Sequence, residues 1–325
     1  MSARTTDAPI DAVITWVDGD DPAHRQKLEQ CLGWRARWKP KAAARTRYAD
    51  SGELEYCVSS LLRFAPWLRR IFIVTDAQTP AFLNNLPRDL ADRVRVVDHT
   101  AIFAGYEDLL PTFNSLSIET MLWRVPGLAD RFIYFNDDCF LVKPVAPSDF
   151  FDDDHPVLRG DIRPLAKDAA DKRLKRLFGI GRPSLRTLQC EAARLAGGAS
   201  RFLVVGHVPH PMRVSTLSDY FASHPQPMRR NASYPLRNIR QFWTVALANN
   251  LEWLKGTARL SETPESLYLG SAPGAREIEL VESIDERPEC RFLCAQSLDG
   301  ASEEFMAFWV SWMDRTVGRF QGDQY

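Results

Sequence analysis

Several common enzyme signatures are absent from this chain of 325 residues. It has no HExxH helix, no GxSxG elbow, no Walker A loop and no GxGxxG turn. Each of these motifs places a metal, a nucleophile or a phosphate cradle at a fixed spacing. Their absence argues against the usual zinc protease, serine hydrolase, P-loop nucleotidase and dinucleotide-dependent dehydrogenase.

Cysteines are few, and their spacing does not fit a zinc knuckle. Of the six, Cys290 and Cys294 lie four apart, without a second Cys or His pair nearby. Structural zinc sites need four ligands at short, regular spacings. We therefore expect reduced, partly buried thiols, as in cytoplasmic proteins.

Long apolar runs and excess charge of one sign are also missing. No run reaches the roughly 20 residues that span a bilayer, and residues 1–10 lack the apolar core of a signal peptide. The net charge is −1, so there is no general attraction for nucleic acid. We expect a soluble, cytoplasmic protein, at most peripheral at the inner face of the plasma membrane.

Apolar runs alternate with helical patterns through the first half of the chain. A helix is predicted over 53–64, with a capping box between Asp50 and Glu53. Another is predicted from Asn114 or Ser115 through the apolar positions up to Val125, where Pro126-Gly127 stops it. This alternation predicts an α/β fold with a mostly parallel sheet and helices on both faces. The predicted strands are residues 12–17, 71–75, 94–97 and 132–135.

The second half of the chain is less regular. Residues 159–186 carry nine Lys or Arg against three Asp, which predicts an inserted helix. Its basic side is either a solvated face or a patch for an anionic acceptor or membrane. A strand over 202–205, a helix over 239–248 and an aromatic C-terminal helix over 305–319 follow; the aromatic stripe is more typical of a core than of a lipid anchor.

Acidic or amide residues end strand after strand. Ligands of open α/β sheets bind at the carboxyl ends of the strands. Asp76 and Asp98 are more simply loop-starting residues, but the adjacent carboxylates Asp137 and Asp138 would repel each other unless a cation bridges them. Carboxylate oxygens suit Mg²⁺ or Mn²⁺, which also bind diphosphate oxygens. Asp137 and Asp138 are therefore the predicted metal ligands.

Histidines and arginines supply the other candidate groups. His207 and His210 lie in a proline-stiffened loop, where a catalytic and a structural role are both open. Arg47 precedes the first helix, and Arg237 and Arg240 are predicted to open the helix after the histidine loop. Guanidinium groups can clamp phosphates through two hydrogen bonds.

Several segments together resemble the conserved blocks of the Stealth family. The stretch 10–22 resembles the first block, and 203–320 resembles the third and fourth blocks more loosely. In the fourth block, Gln296-Ser297 stands where an Asn-Asp pair is usual. Segments similar to the second block are 47–54, 65–69, 71–75, 110–115, 118–119 and 136–138.

The resemblance implies a GT-A-like nucleotide-sugar fold in one catalytic domain over 1–325. Residues 10–145 would form the nucleotide-sugar-binding core, 150–202 an inserted, partly helical segment, and 203–325 the completion of the core. The implied reaction is metal-dependent transfer of a sugar 1-phosphate to a glycan hydroxyl, with release of a nucleoside monophosphate. The expected donor is a UDP-hexose or UDP-N-acetylhexosamine, in capsule or exopolysaccharide synthesis.

The resemblance also assigns roles to residues. His210 would be the general base, Arg237 would brace the transferring phosphoryl group, and Asp138 with Asp137 would hold Mg²⁺ or Mn²⁺. Two rival functions remain open: a GT-A glycosyltransferase that releases nucleoside diphosphate, and a non-catalytic sugar-nucleotide-binding protein. The residues implied in binding the donor are Asp18, Arg47, Asp50, Asn114, Ser115 and His207.

Overall fold

A five-stranded sheet lies at the centre of the protein. The computed structural model describes residues 8–33, 52–165, 184–261, 265–270 and 272–319, with the single positions 174, 178 and 181. The strand order in space is β10–β4–β1–β2–β3, with β10 antiparallel and the other four parallel. The predicted α/β fold with a mostly parallel sheet is confirmed. The strands are β1 (Ile10–Thr15), β2 (Ile71–Thr75), β3 (Val94–Asp98), β4 (Arg131–Asn136) and β10 (His210–Arg213).

Strands β1, β2 and β4 are buried along almost their whole length, as expected where other elements cover both faces of a sheet. Strand β2 has the predicted bounds and is buried throughout. Strand β1 begins two residues before its predicted start and includes the buried Asp11. Arg69 donates to the Asp11 carboxylate through Nε at 2.9 Å, and the Ala129 N–H donates to it at 2.7 Å. These partners allow a charged residue inside a buried strand.

The predicted helix over 53–64 is confirmed. The helix begins at Glu53 with Gly52 as N-cap, at a φ of 90° and without a side-chain cap. Asp50, which is predicted to form a capping box with Glu53, lies outside the described residues. The helices of the first half are α1 (Pro22–Leu32), α2 (Glu53–Phe64), α3 (Arg88–Ala91), α4 (His99–Ile102) and α5 (Ser115–Glu119).

Helix α5 is shorter than its apolar pattern predicts. Asn114 caps it as predicted, since its side chain accepts the Leu116 N–H at 3.2 Å. The helix ends at Glu119, and the Thr120 hydroxyl donates to the Leu116 carbonyl at 2.6 Å. Such bonds from a Thr to the preceding turn compete with regular helical geometry.

Smaller sheets and further helices surround the central sheet. The additional sheets are β12–β13–β5, β11–β7–β6 and the pair β8–β9. Their strands are β5 (Cys139–Leu141), β6 (Phe151–Asp152), β7 (His155–Leu158), β8 (Gly160–Pro164), β9 (Arg201–Val205), β11 (Arg259–Leu260), β12 (Ser266–Leu269) and β13 (Phe292–Ala295). The helices are α6 (Leu185–Leu195), α7 (Val214–Ser223), α8 (Pro225–Ala232), α9 (Thr244–Lys255), α10 (Ala275–Glu286) and α11 (Glu303–Thr316).

Two sequence-based assignments in this half are wrong. The first part of the segment predicted as an inserted helix over 159–186 is instead strand β8, which pairs antiparallel with β9. The described positions 174 and 178 of the same segment are helical, as predicted. Most of 166–183 lies outside the described residues, so its basic patch stays a prediction. Helix α9 starts at Thr244, which leaves Arg237 and Arg240 in the preceding loop rather than at a helix start.

The aromatic stripe of α11 belongs to the core, as predicted. Phe305, Trp309, Trp312 and Met313 are buried in the same apolar cluster as β1, β2 and β13. These side chains of α11 therefore pack inside the protein. Across the described ranges, no helix combines the length and apolar character needed to cross a bilayer.

Candidate active site

The carboxyl ends of the parallel strands gather polar side chains at one edge of the sheet. Two of these carboxylates have structural partners. Both oxygens of Asp76 accept from Lys27 Nζ at 3.0 Å. Asp98 caps α4 by accepting the Thr100 N–H at 2.8 Å, and it also accepts the Ala77 N–H at 2.6 Å. These contacts agree with the simpler interpretation of both residues as parts of loops.

Asp18 is fixed at this edge through its main chain. Its N–H donates to Gln78 Oε1 at 2.9 Å, and its carbonyl accepts from Gln78 Nε2 at 2.9 Å. Its Oδ1 accepts the Asp20 N–H at 2.8 Å. The loop after β1 is therefore tied to the loop after β2, and Asp18 stands between them.

Asp138 is partly buried and turns one carboxylate oxygen toward two thiols. Its Oδ1 lies 3.6 Å from Cys139 Sγ and 3.7 Å from Cys294 Sγ. Burial raises the pKa of Asp138 to about 6, although donation from both thiols acts in the opposite direction. Asp137 is half-buried beside it. Burial is the largest cause of the raised pKa values of Tyr134 and Cys57, and the charge of Asp137 raises both pKa values further.

Tyr134 connects the ends of β1 and β4. Its hydroxyl donates to Asn136 Oδ1 at 2.8 Å, lies 3.0 Å from Thr15 Oγ1, and lies 3.4 Å from Glu119 Oε1. Glu119 is buried, and burial raises its pKa to about 7 against the opposing charge of Arg237. A buried carboxyl group whose pKa lies near neutral pH is typical of functional sites.

Arg237 reaches this network from the loop before α9. Its Nη2 donates to Ser115 Oγ at 2.9 Å, and Arg237 is otherwise exposed. The Asn114 Nδ2 donates to the Tyr234 carbonyl and to Gln241 Oε1, both at 2.9 Å. The start of α5 and the arginine loop are therefore held together, and the guanidinium group lies next to Glu119.

His210 is not in a loop as predicted but begins strand β10, directly opposite Tyr134 of β4. Its ring packs edge-on against Trp243 at 5.6 Å, and its Nδ1 lies 3.5 Å from Asn249 Nδ2. Burial lowers its pKa to about 3, and the nearby His207 and Arg159 lower it further. The imidazole is therefore neutral at physiological pH, which is the state that a base requires.

His207 lies between His210 and the Asp138 region. Its ring stacks on Tyr268 at 4.8 Å, and its Nδ1 lies 3.3 Å from Gln296 Nε2. The Tyr268 hydroxyl donates to Gln296 Oε1 at 2.7 Å. Burial raises the pKa of Tyr268, as do the neighbouring Cys294 and Asp138. Gln296, where the resemblance leads us to expect part of an Asn-Asp pair, thus binds two aromatic side chains.

The structure joins the predicted residues in two groups. Asn114, Ser115 and Arg237 form one, and His207, His210 and Asp138 lie around the other, with Tyr134 and Asn136 between them at the strand ends. Arg47 and Asp50 lie outside the described residues.

Sequence reasoning missed Glu119 and the partner of Cys294 as site residues. Glu119 stands four residues after Ser115, on the same side of a helix, so its position carried a signal. Along the sequence, Cys290 is the cysteine nearest to Cys294. Its actual partner is Cys139, which the pairing of β5 with β13 places directly opposite it.

One of the two predicted metal ligands, Asp138, lies in a cluster of possible ligands. Among the described residues, the one group of three or more possible ligands is Asp138, Cys139 and Cys294, whose ligand atoms lie within 4.8 Å of one another. Asp137 is not part of this group. Mg²⁺ is commonly held by one or two carboxylates plus substrate phosphates and water, so Asp138 fits such an ion only if a diphosphate supplies further oxygens.

The fold and the site define an α/β protein with a polar, partly acidic constellation at the carboxyl edge of its sheet. The family model of Stealth protein conserved region 1 matches residues 8–33, and that of conserved region 2 matches residues 47–157. By these regions the chain belongs to the Stealth family.

Curated relatives extend the similarity. The exopolysaccharide phosphotransferase SCO2592 of Streptomyces coelicolor is 33% identical over 310 residues, or 91% of this chain and 31% of that protein. The exopolysaccharide phosphotransferase SCO6021 of the same organism is 47% identical over 143 residues, or 44% of this chain and 25% of that protein. The capsular polysaccharide phosphotransferase WcwK of Streptococcus pneumoniae is 38% identical over 145 residues, or 45% of this chain and 42% of that protein.

The chain spans less than half the length of these relatives. The SCO2592 match nevertheless covers nearly all of this chain, so it includes the parts that hold His210 and Arg237. A solved galactosyltransferase, LgtC, is similar over 88% of this chain and 86% of its own, at 12% identity and a TM-score of 0.41. A similarity this low does not bear on activity.

Proposed function

We propose that the chain transfers a sugar 1-phosphate from a nucleotide-sugar, with UDP-hexose or UDP-N-acetylhexosamine as the expected donor, to a hydroxyl of a glycan acceptor in capsule or exopolysaccharide synthesis. A phosphodiester forms and a nucleoside monophosphate leaves. The observation that carries this proposal is the grouping of Asp138, the two histidines, Glu119 and Arg237 around one sheet edge in a chain with the Stealth regions. The named activities of the relatives support it.

In this proposal the anionic groups of the donor lie along the ends of β1 and β4. Asp18, Ser115 and His207 contact the donor, and the Asn114 side chain keeps the start of α5 in place. Arg47 and Asp50 stay predicted contributors to the donor pocket. Arg237 is exposed and carries a guanidinium group next to Ser115, so it can stabilise charge on the transferring phosphoryl group.

His210 is the proposed base. Its neutral imidazole can accept the proton of the acceptor hydroxyl. A divalent cation, Mg²⁺ or Mn²⁺, would neutralise charge on the leaving phosphate when it is bound at Asp138 with the donor diphosphate. Asp137 stays a candidate second ligand.

Identification of the released nucleotide tests the reaction class. The reduced protein is incubated with a panel of nucleotide-sugars, a glycan acceptor and Mg²⁺ or Mn²⁺, and the products are separated by ion-exchange chromatography. We expect nucleoside monophosphate and an acceptor that has gained phosphorus together with the sugar. Excess EDTA should abolish turnover, and added Mn²⁺ should restore it.

Two other outcomes would replace the proposal. Release of nucleoside diphosphate, with no phosphorus in the product, identifies a glycosyltransferase instead. Saturable binding of a nucleotide-sugar without turnover under any metal or acceptor condition identifies a binding protein. Full activity in excess EDTA removes the metal from the mechanism.

A further inference from the structure

Cys139 and Cys294 face each other across an antiparallel strand pair. Cys294 of β13 is the register partner of Cys139 of β5, and the Ala295 N–H donates to the Asp138 carbonyl at 3.0 Å beside them. This bond identifies the cysteines as a non-hydrogen-bonded pair, the position where opposite side chains lie closest together. Both thiols therefore project from one small area of the sheet.

The carboxylate of Asp138 lies at the same point. Its Oδ1 is 3.6 Å from one sulfur and 3.7 Å from the other. In a tetrahedral zinc site, Zn–S bonds of about 2.3 Å and Zn–O bonds of about 2.1 Å place sulfur and oxygen about 3.6 Å apart. Both sulfur–oxygen separations already match those of a zinc site, and all three atoms lie within 4.8 Å of one another.

Burial distinguishes this trio from exposed residues that happen to be close. Both cysteines are 1% exposed, whereas Asp138 is partly exposed and gives access from one side. Two thiols close to one carboxylate oxygen form a compact group of possible metal ligands, with soft sulfur and hard oxygen atoms. Thiolates favour Zn²⁺ over Mg²⁺ or Mn²⁺, which prefer oxygen ligands.

We propose that Asp138, Cys139 and Cys294 form a binding site for a thiophilic divalent cation such as Zn²⁺. Binding forms two metal–sulfur bonds and one metal–oxygen bond, and the two thiol protons pass to solvent. The oxidation state of every atom is unchanged. Three protein ligands leave a fourth position for water.

This site has a consequence for catalysis that rests on the proposed function. Zn²⁺ at the two thiolates engages the Asp138 carboxylate, which the proposed hard cation would also need. Zn²⁺ is therefore an inhibitor of transfer, and excess Mg²⁺ does not displace it because the thiolates select against Mg²⁺. The binding itself does not depend on what reaction the protein catalyses.

Titration of the reduced full-length chain with Co²⁺ and Cd²⁺ tests the binding. We expect thiolate-to-metal charge-transfer absorption that saturates at one equivalent and persists in excess Mg²⁺. Cys139→Ala and Cys294→Ala should each lose this absorption and weaken Zn²⁺ binding by at least about 100-fold, since even changes to the outer partners of metal ligands cost roughly 10–100-fold. Cys190→Ala and Cys290→Ala, which remove other buried cysteines, should leave both unchanged.

X-ray absorption of the zinc-loaded wild type gives a measurement that needs no variant. We expect two sulfur ligands at about 2.3 Å and the remainder nitrogen or oxygen. A shell without sulfur overturns the proposal, as does absorption that survives in both cysteine variants when near-UV circular dichroism shows them folded.

The activity measurement separates this inference from the proposed function. Zn²⁺ should inhibit wild-type transfer, and Cys294→Ala, if folded and active, should resist that inhibition. Metal binding through two sulfurs in a protein with no transferase activity would leave the site standing and remove the proposed function. Transfer activity in a protein that binds no metal through sulfur would remove the zinc site and leave the proposed function standing.

Discussion

Glu119 and His210 are buried ionisable groups, and burial shifts their pKa values in opposite directions. Burial raises the pKa of Glu119 from 4.5 to about 7 and lowers the pKa of His210 from 6.5 to about 3. Both groups are therefore largely neutral in the folded protein near pH 6. In the unfolded chain at that pH, the carboxyl is ionised and the imidazole is partly protonated.

Substitution Glu119→Gln should change how stability depends on pH. Between about pH 4.5 and 7, folded Glu119 holds a proton that the unfolded chain has lost, so its contribution to the free energy of unfolding falls as pH rises. The total effect is roughly 3 kcal/mol, at 1.36 kcal/mol per pKa unit. Denaturant titrations from pH 4 to 8 should show the variant gaining stability relative to wild type over this interval.

The wild type alone does not reveal this effect. His210 contributes with the opposite sign, because the unfolded chain holds the extra proton below pH 6.5 and stability falls as pH decreases. The two slopes offset each other between about pH 4.5 and 6.5, so the difference between variant and wild type is the quantity to measure. A difference that stays constant from pH 4 to 8 would contradict the raised pKa of Glu119.

Arg237→Lys should lower activity while leaving stability unchanged. Lysine keeps the charge but loses the planar fork that can contact Ser115 and a phosphoryl oxygen together. We expect kcat to fall roughly 100-fold, the usual cost of losing one transition-state donor. Arg230→Lys, at an exposed position of α8, is the matched control. Steady-state kinetics within threefold of wild type would remove Arg237 from the proposed mechanism.

Strand β8 takes its strand conformation from pairing with β9 rather than from its own sequence pattern. Gly160 begins it, and a Cβ at this position would meet the Val204 carbonyl of β9. Gly160→Ala should therefore destabilise the fold by about 1–3 kcal/mol, the usual cost of overpacking. Gly206→Ala, where a Cβ meets nothing within 4 Å, should be nearly neutral. Thermal unfolding of both variants checks the difference.

The sequence predicted elements well where one local pattern dominates. Strand β2 and helix α2 have the predicted bounds because an uninterrupted apolar run or one apolar helical face determines each. The prediction was wrong for β8, whose residues are mostly exposed and whose strand conformation comes from pairing with β9. It was also wrong for the length of α5, where Thr120 bonds back to the helix.

The candidate site was predictable in part for the same reason. Asp138 could be found because it directly follows a buried strand. The thiols around it could not, because a strand pairing between distant segments brings Cys294 to Cys139. The network from Arg237 to Tyr134 likewise depends on tertiary contacts that no local spacing encodes.

At the scale of the whole molecule, both ends of the described chain contribute to one core. Residues from β1 and from α11 belong to the same buried cluster, and β10 adds to the sheet that β1 to β4 begin. The single domain over 1–325 stays a prediction. The parts that match the two Stealth regions end at residue 157, before β10, β13 and α11.

A fragment of residues 1–165 should therefore fail to fold independently. It would keep β1 to β4 but expose the edge of β4 and the apolar surface that α11 covers. We expect weak near-UV circular dichroism and a broad, non-cooperative urea transition, whereas the full chain unfolds cooperatively. A sharp transition in the fragment would show that residues 10–145 are a domain of their own.

The position of His210 on a strand gives its side chain only two possible directions. Successive side chains of a strand point to opposite faces of the sheet, so a shift of β10 by one residue along β4 would turn the imidazole away from Trp243 and bring Pro211 into its place. Inserting or deleting a single residue between Val205 and His210 can produce such a shift. It should therefore damage the site more than most substitutions there, because the imidazole would then lie on the opposite face of the sheet.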